Sequence, residues 1–177
     1  MRNVVVKDAN AAVAGLRDGD TVMVGGFGGA GVPRGMIEAV LDLKVRELTV
    51  ISNNAGSGGQ DLSLWFGARI VRKIICSYPR SADVFADQYR AGDVELELVP
   101  QGTLVERIRA GGAGLGGFLT PTGVGTVFEK GKQKVVVDGR EFLLEKPLHA
   151  QFSLLKGRQA DALGNLNTTR RHEIILW

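Results

Sequence analysis

The chain has little cysteine and no long apolar run, and each shortage excludes a class of protein. Its only cysteine, Cys76, excludes an internal disulfide and a cysteine metal cluster, which favours a reducing compartment. No segment approaches the roughly 20 apolar residues that a membrane-spanning helix needs. Lys7, Asp8 and Asn10 interrupt the apolar start of the chain, where a signal peptide would stay apolar. We therefore expect a cytoplasmic protein.

Charge of one sign is also scarce. The 22 basic and 19 acidic residues leave a net charge of only +3. The densest basic groups, Arg69, Arg72 and Lys73 and then Arg170 and Arg171, lack the interleaved aromatic residues of a nucleic-acid surface. We therefore expect neither a nucleic acid nor a membrane as a partner.

Glycine, in contrast, is abundant, with 25 residues, which in a chain this apolar indicates tight turns around a site. The segment GGFGGAGVPRG (25–35) contains Gly26-x-Gly28-x-x-Gly31, the glycine spacing of dinucleotide-binding folds. Those folds place an acidic residue about 20 positions further on, to hold the ribose. Asn53 and Asn54 stand there instead, so the sequence disfavours NAD.

Short strand-like runs alternate with helical patterns. The predicted strands are 21–24, 47–52, 72–78, 94–99 and 151–156, and the predicted helices are 34–43, 81–92 and 103–110. This alternation predicts an α/β fold with an open, mostly parallel sheet flanked by helices. No domain boundary is evident, so we expect residues 1–177 to form one domain.

Two segments interrupt the alternation in the second half of the chain. Residues 110–126 read as a glycine-rich loop that is too apolar for a flexible linker. Residues 132–145 read as an inserted β-hairpin, because Asp138-Gly139 is a strong signal for a hairpin turn.

Small residues and uncharged amides follow the predicted strands. Ligands of open parallel sheets bind beyond the carboxyl ends of the strands, so these residues are expected to share one site. They are Gly25, Gly26 and Phe27 after the first strand, Asn53 and Asn54 after the second, Ser77 after the third and Gln101 after the fourth. Such an edge offers backbone N–H groups and amides, which suit an anion or a polarised carbonyl.

No reactive group stands out beside these amides. The sequence has no G-x-S-x-G motif, and Cys76 at a strand end is expected to be a small buried residue rather than a thiolate. His149 lies between Leu148 and Ala150, which favours a structural role over that of a base. The residues thus predict a binding surface without its own nucleophile.

Taken together, four segments resemble the A (alpha) subunit of class I CoA-transferases, particularly the 3-oxoacid and 3-oxoadipate:succinate enzymes. Residues 18–33, DGDTVMVGGFGGAGVP, fill every position of that family's first signature. Residues 51–58, 99–126 and 144–166 look like its other characteristic segments, in the family's order. The resemblance implies the CoA-transferase fold, and it extends over about residues 3–166.

The resemblance also explains the missing nucleophile. In this family the catalytic glutamate belongs to the B subunit, within a Ser-Glu-Asn-Gly motif that this chain lacks, and Glu129 is not assigned its role. The resemblance implies a heterodimer or heterotetramer with the B subunit. It further implies a ping-pong cycle through a glutamyl-CoA thioester. CoA would move from succinyl-CoA to 3-oxoadipate or acetoacetate, and the sequence slightly favours 3-oxoadipate. CoA is then a substrate, and no cofactor or metal is expected.

Site residues follow from the same resemblance. The residues implied to line the substrate or CoA site are Gly25, Gly26, Phe27, Gly28, Gly31, Asn53, Asn54, Gln101, Gly112 and Gly114. The amides Asn53, Asn54 and Gln101 would orient the partner's glutamate and the substrate carboxylates. The glycines would let the backbone approach the reacting acyl group, since glycine has no Cβ.

Two alternatives stay open. The chain is also compatible with a non-catalytic α/β protein whose glycine-rich turn binds a nucleotide or another small molecule, with a phosphate at a helix N-terminus. Residues 167–177 depart from the family pattern, which predicts a truncated or altered C-terminus.

Overall fold

The computed structural model describes residues 3–59, 61–79 and 83–167, and its contacts divide the chain into two compact units. The first contains residues up to 97 and those from 150 onward, and the second contains residues 98–149. The single domain over 1–177 stays a prediction, and each unit is described by itself.

The predicted helices and strands are present in the predicted order, together with several short elements that were not predicted. In chain order they are α1 Ala9–Val13, β1 Thr21–Val24, α2 Arg34–Asp42, β2 Leu48–Ser52, α3 Ser63–Gly67, β3 Val71–Cys76, α4 Asp83–Ala91, β4 Glu95–Leu98, α5 Gln101–Gly112, β5 Phe118–Thr120, β6 Lys134–Val137, β7 Arg140–Glu145, β8 Phe152–Leu154, β9 Gln159–Ala160 and β10 Leu166–Asn167. The start of α4 was predicted at Ser81, which lies outside the described residues.

The first unit is built on a five-stranded sheet in the order β4-β3-β2-β1-β8. β1 pairs in parallel with both β2 and β8, and β2 pairs in parallel with β3. The central strands are apolar on both faces, as Val50 and Ile51 on β2 are both buried. The predicted open, mostly parallel sheet with flanking helices is therefore confirmed.

Aromatic residues of the short helix α3 fill the core on one side of this sheet. The indole N–H of Trp65 donates to the Ile37 carbonyl at 2.9 Å, and the ring of Phe66 meets that of Phe85 edge-on at 5.3 Å. The side-chain amide of Gln88 donates to the Phe66 carbonyl. Both aromatic residues of α3 are fully buried, so α3 joins α2 and α4 to the core.

The second unit contains α5 and a three-stranded antiparallel sheet in the order β5-β7-β6. The predicted hairpin is confirmed, because β6 and β7 meet at Asp138 and Gly139, which both have positive φ. The predicted loop over 110–126 was wrong at its start and in its middle. α5 continues to Gly112, and Phe118–Thr120 forms β5 because its backbone groups pair with β7.

Candidate functional site

The carboxyl ends of β1, β2 and β3 meet at one edge of the first unit's sheet. Parallel pairing continues past the strands as an isolated bridge between Asn54 and Tyr78. On the other side of β1, the N–H of Gly25 donates to the Leu154 carbonyl at 3.0 Å. The predicted convergence of Gly25, Asn53 and Ser77 on one edge therefore holds, and β1 lies between β2 and β8.

The glycine-rich segment after β1 forms a tight turn. Phe27 and Ala30 exchange both backbone hydrogen bonds, at 3.0 and 3.1 Å, so the chain reverses through Gly28-Gly29. Gly26 has φ +125°, and a Cβ there would lie 3.0 Å from the Ala30 carbonyl oxygen. Only glycine fits this position without strain. The turn holds Phe27 in an exposed position, with 46% of its surface accessible.

The two asparagines after β2 are buried and tie neighbouring strands together. Asn53 and Asn54 are only 4% and 6% exposed. The side-chain amide of Asn54 donates to the Gly28 carbonyl at 3.4 Å, which links the end of β2 to the glycine-rich turn. The backbone carbonyl of Asn53 accepts hydrogen bonds from the backbone N–H groups of Ser77 and Tyr78. These bonds link Asn53 to the residues that follow β3.

A small cavity lies between the turn and the end of β2. Its volume is about 10 Å³, and its lining includes Gly25, Gly28, Ser52, Asn54 and Asp61. A cavity of this size has room for about one water molecule. The glycine-rich turn therefore leaves little space between itself and the end of β2.

Asp61 organises the loop that follows the asparagines, and the sequence analysis did not identify it. Its carboxylate accepts from the N–H and hydroxyl of Ser57, at 2.6 and 2.8 Å, and from the N–H of Ser63, at 2.9 Å. Burial of the carboxyl favours a higher pKa, but these hydrogen bonds to the charged form outweigh it and lower the pKa of Asp61. No sequence motif revealed this loop, because its hydrogen bonds depend on how the fold brings Ser57, Asp61 and Ser63 together.

The remaining nucleophile and base candidates are poorly placed for chemistry. Cys76 is fully buried, and that burial raises the pKa of its thiol to about 12, so it is a protonated core residue as predicted. His149 is exposed at the end of the second unit. Among the described residues, no group of histidine, cysteine and acidic side chains could hold a metal ion.

The other predicted site residues lie in the second unit. Gln101 is exposed and is the first residue of α5, not part of a strand-end loop, because the helix begins directly after Pro100. Gly112 ends the same helix, and Gly114 follows with φ +70°. A common site for Gln101, Gly112 and Gly114 with the asparagines of the first unit stays a prediction.

A larger open cavity lies beside the start of α2. It has a volume of about 440 Å³, and its lining includes Pro33, Arg34 and Gly35 from α2 and its N-cap and Lys156 from the segment after β8. Pro33 provides no side-chain hydrogen bond to cap the helix. The two cations and the helix N-terminus give this cavity a positive rim.

No helix in the described part of the chain has the length and apolar character needed to cross a membrane. The longest of the described helices, α5, has 12 residues.

Comparison with known proteins agrees with this geometry. Residues 6–172 match the family described as Coenzyme A transferase. The chain is 49% identical over 168 residues to the A subunit of a 3-oxoadipate CoA-transferase from Pseudomonas putida, covering 94% of this chain and 73% of the relative. It is 41% identical over 164 residues to the A subunit of a succinyl-CoA:3-ketoacid coenzyme A transferase from Helicobacter pylori, covering 93% and 71%.

A third relative widens the range of acceptors among similar proteins. The alpha subunit of an acetate CoA-transferase from Escherichia coli is 48% identical over 151 residues, covering 85% of this chain and 69% of the relative. The names of the three relatives thus refer to 3-oxoadipate, to 3-ketoacids as a class and to acetate. Sequence identity alone does not select the acceptor.

Solved structures share the fold at low sequence identity. An acyl-CoA transferase from E. coli O157:H7, in a thioester complex with CoA, superposes with a TM-score of 0.84 at 22% identity, over 94% of this chain and 37% of that chain. Glutaconate coenzyme A-transferase from Acidaminococcus fermentans gives a TM-score of 0.81 at 16% identity, over 94% and 61%. The chain therefore spans less than two thirds of these solved chains. On its sequence match and its fold, it belongs to the coenzyme A transferase family, among chains named as the A or alpha subunit.

Proposed function

We propose that this chain is the A subunit of a two-subunit CoA-transferase that moves CoA from succinyl-CoA to a 3-oxoacid. The observation that carries the proposal is the 41–49% identity to chains named as the A or alpha subunit, over 151–168 residues. The family match over residues 6–172 includes the glycine-rich turn and both asparagines at the strand ends.

The strand-end edge supplies hydrogen-bond donors, while two reactive groups near it, Cys76 and Asp61, are poorly available for attack on a substrate. Cys76 is protonated and buried, and Asp61 is engaged by its own loop. We infer that the nucleophile of the covalent mechanism is a glutamate of the B subunit. Its carboxylate attacks the acyl-CoA thioester, which forms a mixed anhydride and releases CoA as a thiolate. The thiolate then attacks the glutamyl carbonyl, so that succinate leaves and a glutamyl-CoA thioester remains. The acceptor carboxylate takes up CoA by the same two steps in reverse.

The strand-end amides would act on the charge that develops during this transfer. Donors held rigidly at a developing oxyanion lower the barrier, because they need no reorganisation during the reaction. Asn53 and Asn54 are both buried, and the side-chain amide of Asn54 is held by its hydrogen bond to the Gly28 carbonyl. Gln101 is proposed to add a third amide from the start of α5.

The acceptor is proposed to be 3-oxoadipate or acetoacetate, with the lean toward 3-oxoadipate that the sequence indicates. Acetate is a third acid to test, because of the Escherichia coli relative.

The oligomer is proposed to be a heterodimer or heterotetramer. A cytoplasmic location and the absence of a cofactor remain predictions.

The test is CoA transfer from succinyl-CoA to each of these acids, with the chain alone and with its B subunit. Transfer only in the mixture supports the proposal, and the best acid identifies the acceptor. Transfer by this chain alone would contradict a nucleophile on the partner. A stable complex that transfers CoA to none of the acids would contradict the proposed reaction.

The competing function is partner-independent binding of a nucleotide or another phosphate ligand. The cavity of about 440 Å³ at the start of α2 favours it, because Arg34, Lys156 and a helix N-terminus surround an open space. Titration of the isolated chain with ATP, CoA and inorganic phosphate distinguishes the two. Tight binding that is lost in Lys156→Ala, without any transfer in the mixture, would favour the competing function.

A further inference from the structure

Two buried polar atoms at the strand-end edge have no hydrogen-bond partner among the described residues. They are the amide oxygen Oδ1 of Asn53 and the hydroxyl oxygen Oγ of Ser77. Buried polar atoms are nearly always hydrogen-bonded, so each such atom calls for an explanation. Other buried side chains nearby follow the rule, as the hydroxyl of Ser52 donates to the Val24 carbonyl at 2.9 Å.

The sheet register places these two residues side by side. Ile51 pairs with Ile75 within the strands, and Asn54 bridges to Tyr78 beyond them, so Asn53 lies opposite Ser77. Neighbouring strands are about 4.8 Å apart, and register partners in parallel strands point to the same face. The register therefore favours Asn53 and Ser77 as neighbours on the same face, just beyond the ends of β2 and β3.

On the β1 side, the residue opposite Asn53 offers no side chain that could compete for its amide oxygen. Val24 pairs with Ser52, so Gly25 lies opposite Asn53 on the other side and has no side chain. Among the described residues, the side chain next to the amide of Asn53 in this row is therefore that of Ser77, just after β3. An amide oxygen can only accept a hydrogen bond, whereas a serine hydroxyl can donate one. The two unpartnered atoms are chemically complementary.

We propose that Ser77 is a positioning residue for Asn53. Its hydroxyl donates to Oδ1 of Asn53, directly after a rotation about χ1 or through one water molecule. This bond fixes the amide with its oxygen toward β3 and its NH₂ group free to donate elsewhere. The inference rests on the proposed function, in which Asn53 donates to the reacting group. Neither the resemblance nor the relatives assign Ser77 a role.

The first test observes the amide itself and does not depend on activity. The side-chain NH₂ signals of Asn53 are recorded by NMR in the full chain carrying ¹⁵N-asparagine, and Asn53→Asp, which lacks the NH₂ group, assigns them. We expect one dispersed pair in the wild type, and a pair shifted toward exposed-amide positions in Ser77→Ala. Ser77→Thr, which keeps the hydroxyl, should preserve the wild-type pair. Ser153→Ala is the matched control, because Ser153 is an exposed serine on β8 of the same sheet.

The second test uses the assembled two-subunit enzyme. We expect Ser77→Ala to lower kcat about tenfold with KM unchanged, less than the ~10²-fold loss typical when an oxyanion donor itself is removed. In the Asn53→Ala background the same change should have no further effect, because its target is gone.

Two results would overturn the inference: NH₂ signals of Asn53 that are identical in wild type and Ser77→Ala, or effects of Ser77→Ala and Asn53→Ala that multiply independently. Failure of the proposed function is separate, since it would show as no CoA transfer by the wild-type enzyme. The NMR comparison would still decide the role of Ser77.

Discussion

Asp61 shows how a single carboxylate can shape the surroundings of a site without taking part in its chemistry. It receives three hydrogen bonds from Ser57 and Ser63, and it packs where Gly56 leaves no room for a side chain. A Cβ at Gly56 would lie 2.8 Å from its Oδ1. The loop between β2 and α3 therefore depends on an ionised Asp61.

We predict that Asp61→Asn lowers the free energy of unfolding at neutral pH by about 1–3 kcal/mol, because an amide cannot replace all of the carboxylate's acceptor sites. The lowered pKa of Asp61 means that the unfolded state binds a proton first as the pH falls. The stabilisation is therefore complete above the ordinary value of 3.8 and is lost as the pH falls through the lower folded pKa. Urea unfolding of both proteins from pH 7 to pH 3 measures this, and a difference that grows toward low pH would contradict it.

Gly26 tests the need for glycine in the turn after β1. We predict that Gly26→Ala destabilises the chain by about 1–3 kcal/mol, since alanine at φ +125° is strained and its Cβ would press on Ala30 and Val32. Gly35→Ala is the matched control, because Gly35 lies in α2 with open space at its Cβ position. Thermal unfolding of the two variants should separate them, and equal loss of stability in both would refute a special requirement at Gly26.

Gln101 is the amide whose proposed role is tested most simply by activity. We predict that Gln101→Ala lowers kcat of the assembled enzyme by about two orders of magnitude, the scale of one lost oxyanion donor, about 3 kcal/mol. Assembly should be unaffected. Gln133→Ala, which removes another exposed glutamine of the second unit, should leave kcat unchanged. Near-normal turnover of an assembled Gln101→Ala enzyme would contradict the role.

At the scale of elements, local sequence predicted most of the first unit. The strands were found because apolar runs such as TVMV and VIS end in glycine or asparagine, and the helices because apolar residues recur at helical spacing. Helix α3 was missed, since SLWFG is too short to show a period and is held by burial of Trp65 and Phe66. β5 was missed because its three residues form a strand only through pairing with β7.

The site was predictable in part for the same reason. Asn53 and Asn54 end a strand that is evident from sequence, so their place at the sheet edge followed from the fold class. Gln101 was placed on a strand-end loop, whereas it begins α5, because Gln101 and Gly102 carry no strong helix-start signal. The role of Asp61 depends on a loop conformation that no period in the sequence reveals.

Helix α5 gives an element-scale prediction with a control at the adjacent residue. A Cβ at Gly111 would lie only 2.0 Å from the Leu148 carbonyl oxygen, whereas a Cβ at Gly112 meets open space. We predict that Gly111→Ala destabilises the second unit by more than about 2 kcal/mol, as overpacking against backbone does. Gly112→Ala should be neutral or slightly stabilising, because alanine favours a helix.

Chemical denaturation of both variants makes this measurement. If Gly111→Ala were as stable as Gly112→Ala, the contact between α5 and the segment around Leu148 would be wrong. Gly112→Ala also tests the site, since Gly112 is one of the predicted substrate residues. A loss of transfer without a loss of stability would support that role.

At the scale of the whole molecule, fold and activity have to be argued separately. A solved structure of a variant of the decarboxylase AibA/AibB superposes on this chain with a TM-score of 0.80 at 20% identity. Proteins with this fold are thus named for different reactions, so the fold alone does not identify the reaction of this chain. What points to CoA transfer is the identity to chains named as the A or alpha subunit, together with a sheet edge that carries buried amides.

The central claim is that this chain supplies half of an active site and that the B subunit supplies the nucleophile. The most direct measurement incubates the mixed subunits with succinyl-CoA, reduces the thioester intermediate with borohydride, and locates the modified residue by mass spectrometry. We predict modification of one glutamate of the B subunit and no modification of this chain. Acceptor acid added before the borohydride should lower the amount of modified glutamate. A modified residue on this chain, or transfer without any covalent intermediate, would contradict the account.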